Sequence, residues 1–192
     1  LSASGEVLVA YNTFVVVVNP KDLSVSTIEL PAKPDASKQQ TYEEGSWITS
    51  TSLGPDGRLF VGRMNATSVT VGDLKTGQIS ELPIPDSFGA VERLTTAVDG
   101  IYISNRLGSL DIPPQVGILD YSGQFKSIAG SAIEFASTGD ERVIAVAADG
   151  SLRLMSGGVA VGFENRATQH LTGFGDVVAV GHHDWRVTLY DI

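Results

Sequence analysis

Three histidines occur in the chain, and two stand beside a carboxylate as His182-His183-Asp184. Imidazole and carboxylate donors suit a transition metal. Consecutive residues on a strand point to opposite sides, however, so both imidazoles rarely reach one ion. The remaining histidine, His170, falls on a different predicted strand. The plainer reading is that these are turn and packing residues, with His183 or Asp184 steadying its own segment by a hydrogen bond.

Arg63 and Arg106 follow corresponding strands of neighbouring segments. Together they would suit a carboxylate or phosphate, which guanidinium groups hold through paired donors. Solvated surface arginines are the alternative. Trp47 and Trp185 are of the type enriched at binding hot spots, or else they pack between sheets. Tyr42 precedes Glu43 and Glu44 in the longest polar stretch, as a partner contact or a solvated loop. Asn65-Ala66-Thr67 has the form of a glycosylation acceptor, which matters only in a secreted chain. Asp111 opens Asp111-Ile112-Pro113-Pro114, a loop stiffened by proline.

No catalytic signature accompanies these groups. There is no Gly-x-Ser-x-Gly elbow and no His-Glu-x-x-His pair. Gly157-Gly158 precedes no helical pattern, so it cannot cradle a phosphate at a helix start. The expectation is no catalytic residue, no metal and no cofactor. Without cysteine, disulfides and zinc–thiolate sites are excluded. The net charge of −9, with no cluster of Lys and Arg, argues against nucleic acid. The longest apolar run, Phe14–Val18, is too short to span a bilayer, so no membrane insertion is expected. The 192 residues suit one domain. The chain opens on Leu1 rather than Met, which reads as processing or as an excerpt of a longer polypeptide.

The elements that must carry these residues repeat. The unit is a small-residue strand, a tight turn, a hydrophobic strand, a third strand ending near Asp, and a fourth. It is plainest from Trp47 to Leu82. There Gly54-Pro55-Asp56-Gly57 and Asp73-Leu74-Lys75-Thr76-Gly77 form the turns, and Pro83 ends the last strand. The predicted units cover about 1–31, 46–84, 91–130, 132–166 and 168–192. The first apolar residues of the second strands, Val7, Leu59, Ile101, Val143 and Val177, are spaced by 52, 42, 42 and 34. Repeats of roughly 40–50 residues suit four-stranded propeller blades. The small strands, such as Thr49-Ser50-Thr51-Ser52 and Thr95-Thr96-Ala97, would crowd the central axis. A β-sandwich or barrel with chance periodicity is the rival architecture.

The stretch Val178-Ala-Val-Gly-His-His-Asp-Trp-Arg-Val-Thr-Leu-Tyr-Asp191 resembles the end of a WD40 repeat, with Asp184 and Tyr190-Asp191 at the matching positions. Gly54-Pro-Asp-Gly-Arg-Leu-Phe-Val61 through Thr76-Gly-Gln-Ile-Ser-Glu-Leu-Pro83 looks like streptogramin-lyase or NHL-type blades. No unit has the Gly-His opening of WD40 proper, so the resemblance is to the wider β-propeller superfamily. It implies an all-β propeller of about five four-stranded antiparallel blades, as an incomplete ring or part of a larger one.

The fifth unit lacks a fourth strand; another chain or flanking sequence completes it, or that blade simply has three strands. The short turns share one face of such a fold. The longer loops, including Ala32–Ser46, Asn105–Gln115 and His182–Trp185, share the other, where binding is expected. The leading functional expectation is a non-enzymatic protein-binding or scaffolding module within a larger chain or assembly. A lyase or hydrolase acting on a small or sugar-like ligand in the central funnel is the first alternative. An extracellular or virion structural component is the second.

Overall fold

The computed structural model describes residues 6–11, 13–30, 48–63, 66–105, 115–128, 132, 134–138, 142–147, 150–155, 159–163, 168–182 and 184–192. Within these residues there is no α-helix; one short 3-10 turn spans Asp86–Phe88. The strands form five antiparallel sheets, each a simple meander.

The first sheet holds β1 (Val7–Tyr11), β2 (Phe14–Val18) and β3 (Val25–Glu29). The second holds β4 (Ile48–Leu53), β5 (Arg58–Arg63), β6 (Ser68–Asp73) and β7 (Ile79–Pro83). The third holds β8 (Arg93–Ala97), β9 (Gly100–Ser104), β10 (Val116–Leu119) and β11 (Phe125–Ile128). The fourth holds β12 (Glu134–Ser137), β13 (Val143–Val146), β14 (Ser151–Leu154) and β15 (Val159–Phe163). The fifth holds β16 (Thr168–Phe174), β17 (Val177–His182) and β18 (Val187–Asp191).

Tight turns make this meander. Gly57 and Gly77 have φ of 80° and 71°, a region that side chains with a Cβ disfavour. In the turn after β6, Asp73 Oδ1 accepts from Lys75 N at 2.8 Å and Thr76 N at 3.1 Å. After β10, Asp120 Oδ1 accepts from Ser122 N and Gln124 N, both at 2.9 Å. The backbone donors of Thr76 and Lys75 hold the Asp73 carboxyl below its ordinary value. The Ser122 hydroxyl and the Gln124 amide do the same for Asp120. A carboxyl lowered in the folded state stabilises it above the unfolded carboxylate range. That contribution is lost as pH falls through the lowered folded value. The double variant Asp73→Asn/Asp120→Asn is therefore expected to show a shallower fall of thermal midpoint below about pH 4, measured by calorimetry across an acid series.

Cores lie between successive sheets, because the second strand of each sheet is apolar on both faces. On β5, Leu59, Phe60 and Val61 are all fully buried. Leu59 and Val61 join Val15, Val17 and Ile28 of the first sheet. Phe60 turns the other way, to Ile101, Ile103 and Leu119 of the third. Tyr102 and Val116 then meet Phe135, Val143 and Ala145 of the fourth. Ile144, Val146 and Leu152 meet Val178 and Val180 of the fifth.

The first strands β1, β4, β8, β12 and β16 lie side by side in that order along a common axis. Their small polar residues bond between sheets: Ser52 Oγ lies 2.8 Å from Thr96 Oγ1, and Thr96 Oγ1 donates to Leu53 O at 2.7 Å. The all-β architecture expected from the repeats is present, and the ring of sheets is not closed.

One strand assignment changes. The segment beginning at Val7, expected to be a second strand, is the first strand of its sheet and lies against β4. The second strand there is Phe14–Val18. The long first spacing thus came from counting one strand too early. Leu1–Ser4 lies outside the described residues.

Candidate functional site

The axial strands leave a cavity of about 300 Å³ between the second and fifth sheets. Its walls are hydroxyl-rich, with Ser50, Ser52, Thr95, Ser137 and Thr172 among the lining residues. Small residues let the inner strands approach one another closely, and their hydroxyls bond between strands. Arg93 and Glu134 also line the cavity and bridge the third and fourth sheets, Nε to Oε2 at 3.0 Å. Arg93 Nη1 donates to Glu92 O at 2.8 Å, which fixes the guanidinium further. His170 stands at the exposed side of the same cavity. The paired charges cancel, so the lining offers mainly hydroxyl donors and acceptors. Such a surface suits a neutral polar ligand better than an ion. No group of metal-ligating side chains occurs among the described residues.

Sequence reasoning expected a central funnel but not the charged pair in its wall. The small Thr and Ser strands were legible as inner strands, but the Arg93–Glu134 pair spans 41 positions with no motif to announce it.

The opposite candidate is the face of longer loops. Its described loop bases are tied to one another. Gln115 N donates to Asn105 Oδ1, and Asn105 Nδ2 donates to Phe88 O. Gln115 Nε2 donates to Ser87 O at 3.0 Å, and Val91 N donates to Ala66 O at 3.2 Å. Segments from the second and third sheets therefore hold this face as a rigid base.

Four of the sequence-predicted residues can be placed. Arg63, at the end of β5, is 1% exposed, an interior group rather than a solvated one. Burial lowers its pKa from the ordinary arginine value, opposed by the Glu81 carboxylate. His182 is buried on the face of β17 that packs inward, and its Nε2 lies 2.9 Å from Thr188 Oγ1 on β18. Asp184 Oδ2 lies 3.6 Å from Arg186 Nε in the turn that follows.

Trp185 is 97% exposed at a φ of 63°, at the tip of the same turn. That turn is closed by Trp185 N donating to His182 O at 3.2 Å and His182 N donating to Arg186 O at 3.0 Å. The structure thus brings His182, Asp184 and Trp185 into one turn and sets Arg63 apart in the core of another sheet. Tyr42, Trp47, Asn65, Arg106, Asp111 and His183 lie outside the described residues.

No protein-family model and no curated protein matches the chain. Solved structures do. Virginiamycin B lyase from Staphylococcus aureus matches at TM-score 0.68 and 14% identity, over 98% of this chain and 63% of that one. The β-propeller domain of Myceliophteria thermophila Cps50 (Swd1) matches at TM-score 0.60 and 12% identity, over 97% of this chain and 67% of that one. A chain of a mitotic checkpoint complex matches at TM-score 0.65 and 16% identity, over 99% of this chain and 58% of that one. This chain therefore spans less than two thirds of the lyase chain. At such identities the likeness is one of fold: the chain is a β-propeller, with an enzyme and a chain of a checkpoint complex among its structural neighbours. Within the described residues no helix is long and apolar enough to cross a membrane.

Proposed function

We propose that this β-propeller is a non-enzymatic binding and scaffolding module that takes a protein partner on its long-loop face. The observation that carries the reading is Trp185. A tryptophan 97% exposed at the tip of a hydrogen-bonded turn offers a large rigid apolar surface to water. Side chains of this type, placed on loops held by a rigid scaffold, anchor protein interfaces. The tied loop bases around Asn105 and Gln115 supply the scaffold. The neighbour in a mitotic checkpoint complex gives the reading support at the level of fold.

The test is affinity capture from the native source with the intact protein and its Trp185→Ala variant, followed by titration of the captured partner. The variant is expected to weaken binding about tenfold or more. Equal affinity for both forms would remove Trp185 from the interface and the reading with it.

A second reading has its own observation. The hydroxyl-lined axial cavity suits a small or sugar-like ligand, and the lyase neighbour shares the fold around it. Stabilisation of the protein by a neutral polyhydroxylated compound, lost in a Ser137→Val variant, would favour that reading.

A further inference from the structure

The two ends of the stack of sheets expose surfaces that sheets elsewhere in the molecule bury. On the first sheet, strand register sets Val7, Val9 and Tyr11 opposite Val18, Val16 and Phe14, with Val25 beside Val18. These side chains share the face turned away from the second sheet. Val9, Tyr11 and Val25 are 51%, 65% and 61% exposed. Only Thr27 and Glu29 interrupt the apolar surface on these three strands. On the fifth sheet, Val177, Ala179, Val187 and Leu189 share the face turned away from the fourth, with Asp191, Thr172 and His170 as its polar members. Val187 and Leu189 are 65% and 68% exposed.

A sheet with one wet face ordinarily alternates apolar and polar residues. Here β2 and β17 do not alternate. They read as β5, β9 and β13 read, strands that are buried on both sides. The two end faces therefore have the composition of an inter-blade contact, the type of contact already formed four times along the stack.

We infer that these faces are the two ends of a gap in a closed ring, filled in the working protein by about three further four-stranded blades of the same polypeptide. The share of the neighbours sets the number. Five sheets occupy 58–67% of the three neighbouring chains, which leaves room for that many more. The total then falls within the usual range of about four to eight blades. A second copy of this chain would give about ten, outside it. Each added blade next to the gap needs an apolar middle strand to meet Val16 and Val18 at one end and Val177 and Ala179 at the other. Its inner strand would extend the wall of the axial cavity, which β4, β8, β12 and β16 line.

The test uses the intact polypeptide that carries these residues, as isolated from its source. Its mass by light scattering is expected to be that of one chain longer than 192 residues. Val9→Arg and Leu189→Arg are each expected to lower its thermal midpoint by about 5 °C or more, as Val61→Arg would at an existing contact. Val98→Arg, at an exposed hairpin turn rather than an end face, is expected to leave the midpoint unchanged. If Val9→Arg and Leu189→Arg behave like Val98→Arg, the faces are open surface and the inference fails. It fails equally if the isolated polypeptide has no further blades. It fails too if the two substitutions dissociate an oligomer of this chain, since a second copy would then be the occupant.

Discussion

Gly173→Val is expected to destabilise the protein by about 3 kcal/mol or more, a loss of roughly 6–12 °C in thermal midpoint for a domain of this size. Gly173 lies on β16, where that strand passes the end of β12 near the axis. A Cβ placed there would enter the shell of the Ser137 carbonyl oxygen. It would also stand 2.8 Å from the Ser137 carbonyl carbon and 3.3 Å from Thr138 N. All three atoms are backbone, so no rotamer change relieves the overlap, and valine adds two methyl groups to it. Relief requires the fourth and fifth sheets to part, which opens the core of Ile144, Val146, Val178 and Val180.

Gly57→Ala provides the contrast. Gly57 has a φ of 80° with nothing within 4 Å of its would-be Cβ. Its substitution incurs only the conformational cost of a left-handed alanine, about 1 kcal/mol. Urea unfolding of both variants separates the two causes. Equal losses would mean that β12 and β16 do not approach as closely as they do here.

The same contrast explains what was legible in the sequence. Turns announce themselves locally: Pro55-Asp56-Gly57 and Asp73 through Gly77 carry residues that suit only a few backbone conformations. Strands buried on both faces announce themselves as unbroken apolar runs, which is why Leu59-Phe60-Val61 and Val143-Ile144-Ala145-Val146 were readable as middle strands. The crowded axis left its trace in Thr49-Ser50-Thr51-Ser52.

Radial geometry leaves no such trace. Arg93 meets Glu134, and Gly173 meets Ser137, because sheets fan around an axis at an angle that no local pattern encodes. Arg63 looked like a surface residue because it follows a strand and precedes a polar loop. It is buried, and Ala66 N, which donates to Arg63 O at 3.1 Å, ties the following segment back onto the end of β5. Trp185 was ambiguous between anchor and packing. Its exposure follows from the backbone of the turn, whose positive φ throws the side chain outward.

Phe60→Ala is expected to cost about 3–5 kcal/mol, with a thermal midpoint lower by about 10 °C. Phe60 is fully buried between the second and third sheets. Its ring centroid lies 5.6 Å from that of Tyr121, and the Arg58 guanidinium carbon lies 5.4 Å from it. Gly54 accommodates it: a Cβ there would stand 2.7 Å from Phe60 Cε2. Truncation therefore leaves a cavity walled by strands that cannot collapse inward without disturbing their own hydrogen bonds. Phe60→Leu keeps most of the volume and is expected to cost about 1 kcal/mol.

The neighbouring residue tests the layered architecture itself. Val61 adjoins Phe60 in sequence but faces the first sheet, in a separate core. Side chains that share no partner contribute nearly independently, within about 0.5 kcal/mol. The stability losses of Phe60→Ala and Val61→Ala should therefore add in the double variant, measured by denaturant unfolding. A large coupling between them would mean that the two faces of β5 border one continuous core, as in a barrel, rather than two contacts between radial sheets.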